Sequence, residues 1–184
     1  MNLVIVSGPE ATGKSGIAQE VAQILGYKYQ SKDVIKEQMF DHGSHDTNDS
    51  SWYEDKAKDE FFDQIQQFVV RNESAVIESN FIAVDRQRLV ACLGNAQITE
   101  IFCTARGFMS FIRFVKRNET NNRHKGHHDR KWYWSVFKHD VAGMLGIQWP
   151  YKPLGFTNKL LAVDTTNFSK INCQAIADFA GTTS

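Results

Sequence analysis

Short apolar runs alternate with longer amphipathic stretches along the chain. Residues 3–7 are a continuous apolar run halted by Gly8-Pro9, the pattern of a parallel strand buried on both faces. From Ser15 onward Ile17, Val21, Ile24 and Leu25 recur at helical spacing, and Gly26 supplies the expected stop. A brief second strand is expected over residues 27–30. It ends at Ser31-Lys32-Asp33, where Ser31 can cap a helix over 34–40. The pattern then predicts a long helix over 52–70, a third strand over 75–78 and a helix over 86–93. A fourth strand over 98–104, a fifth over 160–163 and a last helix over 170–179 complete the series.

Strands alternating with helices imply βαβ units, right-handed crossovers and a sheet covered on both faces. The expected fold is an α/β/α three-layer sandwich around a mainly parallel five-stranded sheet. The 184 residues fit one domain, 1–184, with no repeat or low-complexity linker to divide it.

The turn after the first strand carries the chemistry. Gly8, Pro9, Glu10, Ala11, Thr12, Gly13, Lys14 and Ser15 match GxxxxGK[ST] in full, and the match lies between a strand and a helix as its mechanism requires. The glycines let the backbone wrap phosphate oxygens, so that its N–H groups and the helix N-terminus face the anion. Lys14 is placed to bridge the β- and γ-phosphates and Ser15 to ligate Mg²⁺, which makes ATP with Mg²⁺ the expected pair. On the opposite side, Asp33 stands at the carboxyl end of the second strand, where open α/β sheets bind ligands. A carboxylate there can take the proton of an attacking hydroxyl, and it would repel a phosphate acceptor. Capping of the following helix is the structural alternative for Asp33.

Charge refines this picture. The chain is neutral overall, with 21 basic and 21 acidic residues, so no global field draws it to nucleic acid or an anionic membrane. Residues 41–63 hold eight acidic and two basic side chains, however, whereas residues 106–131 hold eight basic and two acidic ones. If residues 111–117 are helical, Arg113 and Arg117 point from one face and could share one polyphosphate. His124, His127 and His128 lack a thiolate or partner cluster to complete a zinc shell. Trp132, Tyr133, Trp134, Phe137, Trp149 and Tyr151 could stack a base or simply pack. Three cysteines at unrelated spacings fit a reducing cytoplasm. The sequence MNLVIVSG has neither a basic leader nor a long apolar stretch, so a cytoplasmic protein without membrane contact is expected.

Together these residues resemble the small P-loop kinases grouped with bacteriophage-type 5′-polynucleotide kinase, chloramphenicol phosphotransferase and the zeta-toxin kinases. The resemblance rests on residues 8–15, on Ser31-Lys32-Asp33, on Glu78-Ser79-Asn80-Phe81 after the third strand, on the basic residues 113–128 and on Asp164-Thr165-Thr166. It implies that Asp33 is the catalytic base and that Lys32 helps hold the acceptor. It also implies that the segment at about 110–131 is a helical lid carrying arginines, with Arg117 and Arg123 preferred, to the transferring phosphoryl group. Glu78 could hold Mg²⁺ through water and Asn80 could bond the acceptor. Asp164 and Thr165 would pass their backbone beside the adenine ring, unless they merely cap the last helix.

The expected function is phosphoryl transfer from ATP to a hydroxyl of a small molecule, nucleoside or sugar. A polynucleotide 5′-hydroxyl kinase would use the same constellation, although the zero net charge disfavours a nucleic-acid partner. A regulatory ATP-binding module without an acceptor is the third reading. Neither the acceptor nor the oligomeric state is written in the sequence.

Overall fold

The computed structural model describes residues 1–42, 50–82, 84–106, 108–119, 124, 136–138, 141, 151–157 and 159–182. The strands are β1 (Asn2–Ser7), β2 (Lys28–Ser31), β3 (Ala75–Glu78), β4 (Gln97–Thr104) and β5 (Leu160–Asp164). Between them run α1 (Lys14–Leu25), α2 (Lys32–Asp41), α3 (Ser50–Val70), α4 (Asp85–Leu93) and α5 (Met109–Glu119), and α6 (Cys173–Gly181) follows β5. The strand order is β2-β3-β1-β4-β5. Among the described residues every pairing is parallel, with no antiparallel member of the kind the sequence left open.

The central strands β1 and β3 are covered on both faces. Leu3, Ile5, Ala75 and Ile77 point to one side, where Ile35 of α2, Phe61, Phe62 and Ile65 of α3 and Leu89 of α4 close over them. Val4, Val6, Val76 and Ile101 point to the other, beneath Ile17, Ala18 and Val21 of α1 and Ile176 and Ala177 of α6. Burial on both faces explains why β1 and β3 read as short apolar runs. No described helix is long and apolar enough to cross a membrane.

Most boundaries fall within two residues of expectation, and Ser31 caps α2 by accepting the Asp33 N–H at 3.2 Å. The last helix differs. Residues 168–170 form a separate 3₁₀ turn capped by Asn167, Ile171 is extended, and α6 starts at Cys173 behind Asn172, whose side chain accepts the Ala175 N–H at 3.0 Å. Asp164, Thr165 and Thr166 therefore do not cap it. Two asparagines, each able to mimic a backbone turn, divide the stretch that looked like one helix.

Two carboxylates, one buried and one half-exposed, tie parts of the fold together. Glu100 sits in the middle of β4, fully buried, and its carboxylate accepts the backbone N–H groups of Leu154 and Gly155, the latter at 3.0 Å. Leu154 itself inserts into the core. Glu54 of α3 joins α3 to α2 by pairing with both Lys32 and Lys36, the second at 2.8 Å. Burial works against the Glu54 carboxylate, but the two ammonium groups outweigh it and hold the pKa down at about 2 from 4.5.

Two expectations follow from these charges. Glu100→Ala leaves the buried Leu154 N–H and the Gly155 N–H without an acceptor, and urea titration should register a loss of about 2 kcal/mol, with Glu100→Gln intermediate. An unchanged urea midpoint would show that the carboxylate does not anchor the 154–155 backbone. For Glu54 the folded pKa lies below the unfolded one, so its contribution is present above pH 4.5 and is lost as pH falls toward 2. The difference in urea midpoint between the native chain and Glu54→Gln should accordingly shrink through that window.

Candidate functional site

Parallel register brings the carboxyl ends of three strands side by side. Val6 pairs with Glu78, and Ser31 pairs with the same Glu78, so whatever follows β1, β2 and β3 meets at one edge. The segment after β1 is the glycine-rich turn. Gly8 has φ +137°, and a Cβ there would lie 2.1 Å from the carbonyl oxygen of Cys103 in β4, so no side chain fits. Ala11 and Gly13 are also left-handed, at φ 56° and 79°. Inside the turn the Pro9 carbonyl accepts the Thr12 hydroxyl at 2.8 Å and the Lys14 ammonium at 2.6 Å, and both side chains are buried. Gly13 caps α1 without a side chain, which leaves the first-turn N–H groups of a twelve-residue helix directed at the turn.

Ser15, on the first turn of α1, donates its hydroxyl to Glu78 Oε2 at 3.2 Å. Glu78 is buried, and its pKa is raised first by that burial. The nearby charge of Lys14 and the hydroxyls of Ser31 and Ser15 pull it down, and Asp33 pushes it further up. Asp33 occupies the first turn of α2, half-buried, and among the described residues no hydrogen bond or ion pair engages its carboxylate. The helix cap is Ser31, not Asp33.

Asn80 donates its amide to Glu10 Oε1 at 3.2 Å, and the Tyr151 hydroxyl donates to the same oxygen. Lys32 faces this edge too, but its ammonium is paired with Glu54. Lysine 58 of α3 pairs with Asp85 at 2.5 Å, and Asp85 also accepts the Ile82 N–H at 3.0 Å.

The other side of the turn is built differently from expectation. Thr165 is fully buried, with both its N–H and its hydroxyl on the Thr104 carbonyl at 2.7 and 2.8 Å. Its own carbonyl, and that of Thr166, accept Arg113 Nη2 at 2.7 and 2.9 Å. Arg113 lies 3.8 Å above the Phe168 ring, and Phe168 lies against Gly13, where a Cβ would meet it at 2.4 Å. Arg113 thus bonds the chain after β5, although it shares a helix face with Arg117, whose guanidinium lies 5.7 Å from the Phe114 ring. Asp164 takes the Thr166 N–H at 2.9 Å and pairs with Arg106 at 2.8 Å. Its pKa is lowered by the Thr166 hydroxyl and amide first, then by Arg106.

The lid expected over about 110–131 begins as α5, and His124 bonds Asp41 of α2 at 3.0 Å, edge-on to Phe40. Arg123, His127, His128, Trp132, Tyr133, Trp134 and Trp149 lie outside the described residues. Sequence reasoning missed the ties of Glu10 to Asn80 and Tyr151, the capture of Lys32 by Glu54, and Phe168 beside Gly13. The signals available were faint: an acid at a variable position of the motif, and two lysines four apart on one helix.

Comparison with known proteins agrees with the fold. Residues 3–136 match the model of an AAA domain family. No curated protein matches the chain. Among solved structures, a presumed kinase from Chloroflexus aurantiacus J-10-fl is similar at 29% identity and a TM-score of 0.80, covering 97% of this chain and 95% of that one. A sugar kinase from Janibacter sp. HTCC2649 is similar in fold at 14% identity and a TM-score of 0.57, covering 97% and 91%. With the complete glycine-rich turn, an all-parallel sheet and a family match over most of its length, the chain belongs to this AAA domain family and has the fold of the small P-loop kinases.

Proposed function

We propose that the protein is an ATP-dependent kinase that transfers the γ-phosphate to a hydroxyl of a small molecule, with Asp33 as general base. The observation that carries this reading is the facing of two parts across one strand edge. On one side is a complete phosphate cradle with Lys14 buried in it; on the other, the Asp33 carboxylate is left without a hydrogen-bond or ion-pair partner among the described residues. The similarity to the Chloroflexus protein supports the same class.

The N–H groups of residues 8–15 and the α1 N-terminus take the phosphates, and Lys14 exchanges the Pro9 carbonyl for the β- and γ-phosphate oxygens. The oxygen pair of Ser15 and Glu78, 3.2 Å apart, suits a hard cation, so Ser15 would hold Mg²⁺ with Glu78 behind it. Bound there, Mg²⁺ would neutralise charge on the β- and γ-phosphates. Asp33 takes the proton of the acceptor hydroxyl, whose oxygen bonds to the γ-phosphorus as the bond to the β–γ bridging oxygen breaks and ADP leaves. Asn80 and Lys32 border the acceptor. Arg117 and Arg123 supply guanidinium groups to the charge spreading over the transferring oxygens. The carbonyls of Asp164 and Thr165 border the base, with Arg113 fixing the path of that chain.

The test is transfer of label from γ-labelled ATP across a panel of alcohols, nucleosides and sugars. Lys14→Ala should abolish transfer and weaken ATP binding. Asp33→Asn should bind ATP as the native chain does while kcat falls about 10²- to 10⁴-fold. Normal turnover by Asp33→Asn would remove the base assignment.

A further inference from the structure

At the acceptor edge four lysines have partners, and two carboxylates are without an ion pair among the described residues. Lys32 and Lys36 share Glu54, Lys58 is held by Asp85, and Lys14 belongs to the phosphate cradle. Among the described residues Asp33 has no ion pair, and neither has Glu10. Glu10 is anchored through one oxygen only: Oε1 accepts Asn80 and Tyr151, whereas Oε2 is buried and has no hydrogen-bond partner. A buried carboxylate oxygen without a donor is costly, and a donor that arrives with a ligand would satisfy it. The surroundings deepen the negative character. Tyr151 is 7% exposed, and its pKa is pushed up by burial first, then by Glu10, with Glu54 and Asp85 adding to it.

We infer that Glu10, held by Asn80 and Tyr151, is a second acceptor-binding group beside Asp33, and that the two select a donor-rich alcohol carrying no anionic substituent. This rests on the kinase reading above. While Asp33 takes the proton of the attacking hydroxyl, Glu10 Oε2 accepts a hydrogen bond from a second hydroxyl or an ammonium of the same molecule. A phosphate or carboxylate on the acceptor would instead be set beside the like charges of Asp33 and Glu10. A nucleic-acid strand, in which phosphates follow the 5′ hydroxyl, is disfavoured for the same reason.

The experiment uses the full chain with γ-labelled ATP and matched acceptors: neutral sugars, the corresponding amino sugars, sugar acids and sugar phosphates, and an oligonucleotide with a free 5′ hydroxyl. The neutral or amino member of a series should exceed its anionic partner in kcat/KM by about tenfold or more. Glu10→Gln keeps an oxygen for Asn80 and Tyr151 but removes the charge, and it should narrow that ratio several-fold by raising KM for the favoured member. A purely structural role for Glu10 would lower both members alike and leave the ratio unchanged, which overturns the inference. Preference for an anionic acceptor or the oligonucleotide overturns it as well, while sparing the kinase reading. If ATP binds and no acceptor is labelled, both fall together.

Discussion

Register in a parallel sheet is the constraint on which everything else rests. Because β1 and β2 both align with Glu78 of β3, the turn after β1, the start of α2 and the residues after β3 share one edge. Parallel pairing needs a crossover between each pair of strands, so every strand end at that edge is followed by a loop or a helix N-terminus. The positive end of α1 and the acidic first turn of α2 are then neighbours without any further device.

Packing fixes this arrangement more tightly than hydrogen bonding alone would. Gly8 lies so close to the Cys103 carbonyl that the turn has a single seat on β4, and Phe168 closes on Gly13 from the far side. The turn is thus pinched between two strands' worth of structure, β4 beneath and the chain after β5 beside it. Burial also accounts for the charge states around it. Glu78, raised mainly by its surroundings, is steadied by Lys14 and two hydroxyls, an arrangement that ties its protonation to whatever else occupies the edge.

β1 and β3 were legible in the sequence because two-sided burial writes them as short apolar runs, and α1 because its apolar positions and Gly26 repeat the geometry of an isolated helix. Residues 8–15 were legible because backbone wrapping of phosphate demands particular residues at fixed spacing. What stayed hidden depends on docking between distant segments. Glu54 meets Lys32 only because α3 packs on α2, and Tyr151 reaches Glu10 across 141 positions. Arg113 was placed on the correct helix face, yet its partners are carbonyls after β5, which periodicity cannot name. The break before α6 was missed because two asparagine turns outweigh a weak amphipathic pattern.

The Pro9 carbonyl has a consequence of its own. Since it holds both the Thr12 hydroxyl and the Lys14 ammonium, the loop carries an internal stand-in for the oxygen that a guest would bring. A shielded positive group therefore always has a partner at hand, before arrival and after departure. Capture becomes an exchange of one acceptor for another within a shape already formed, and the hollow has no need to collapse between visits.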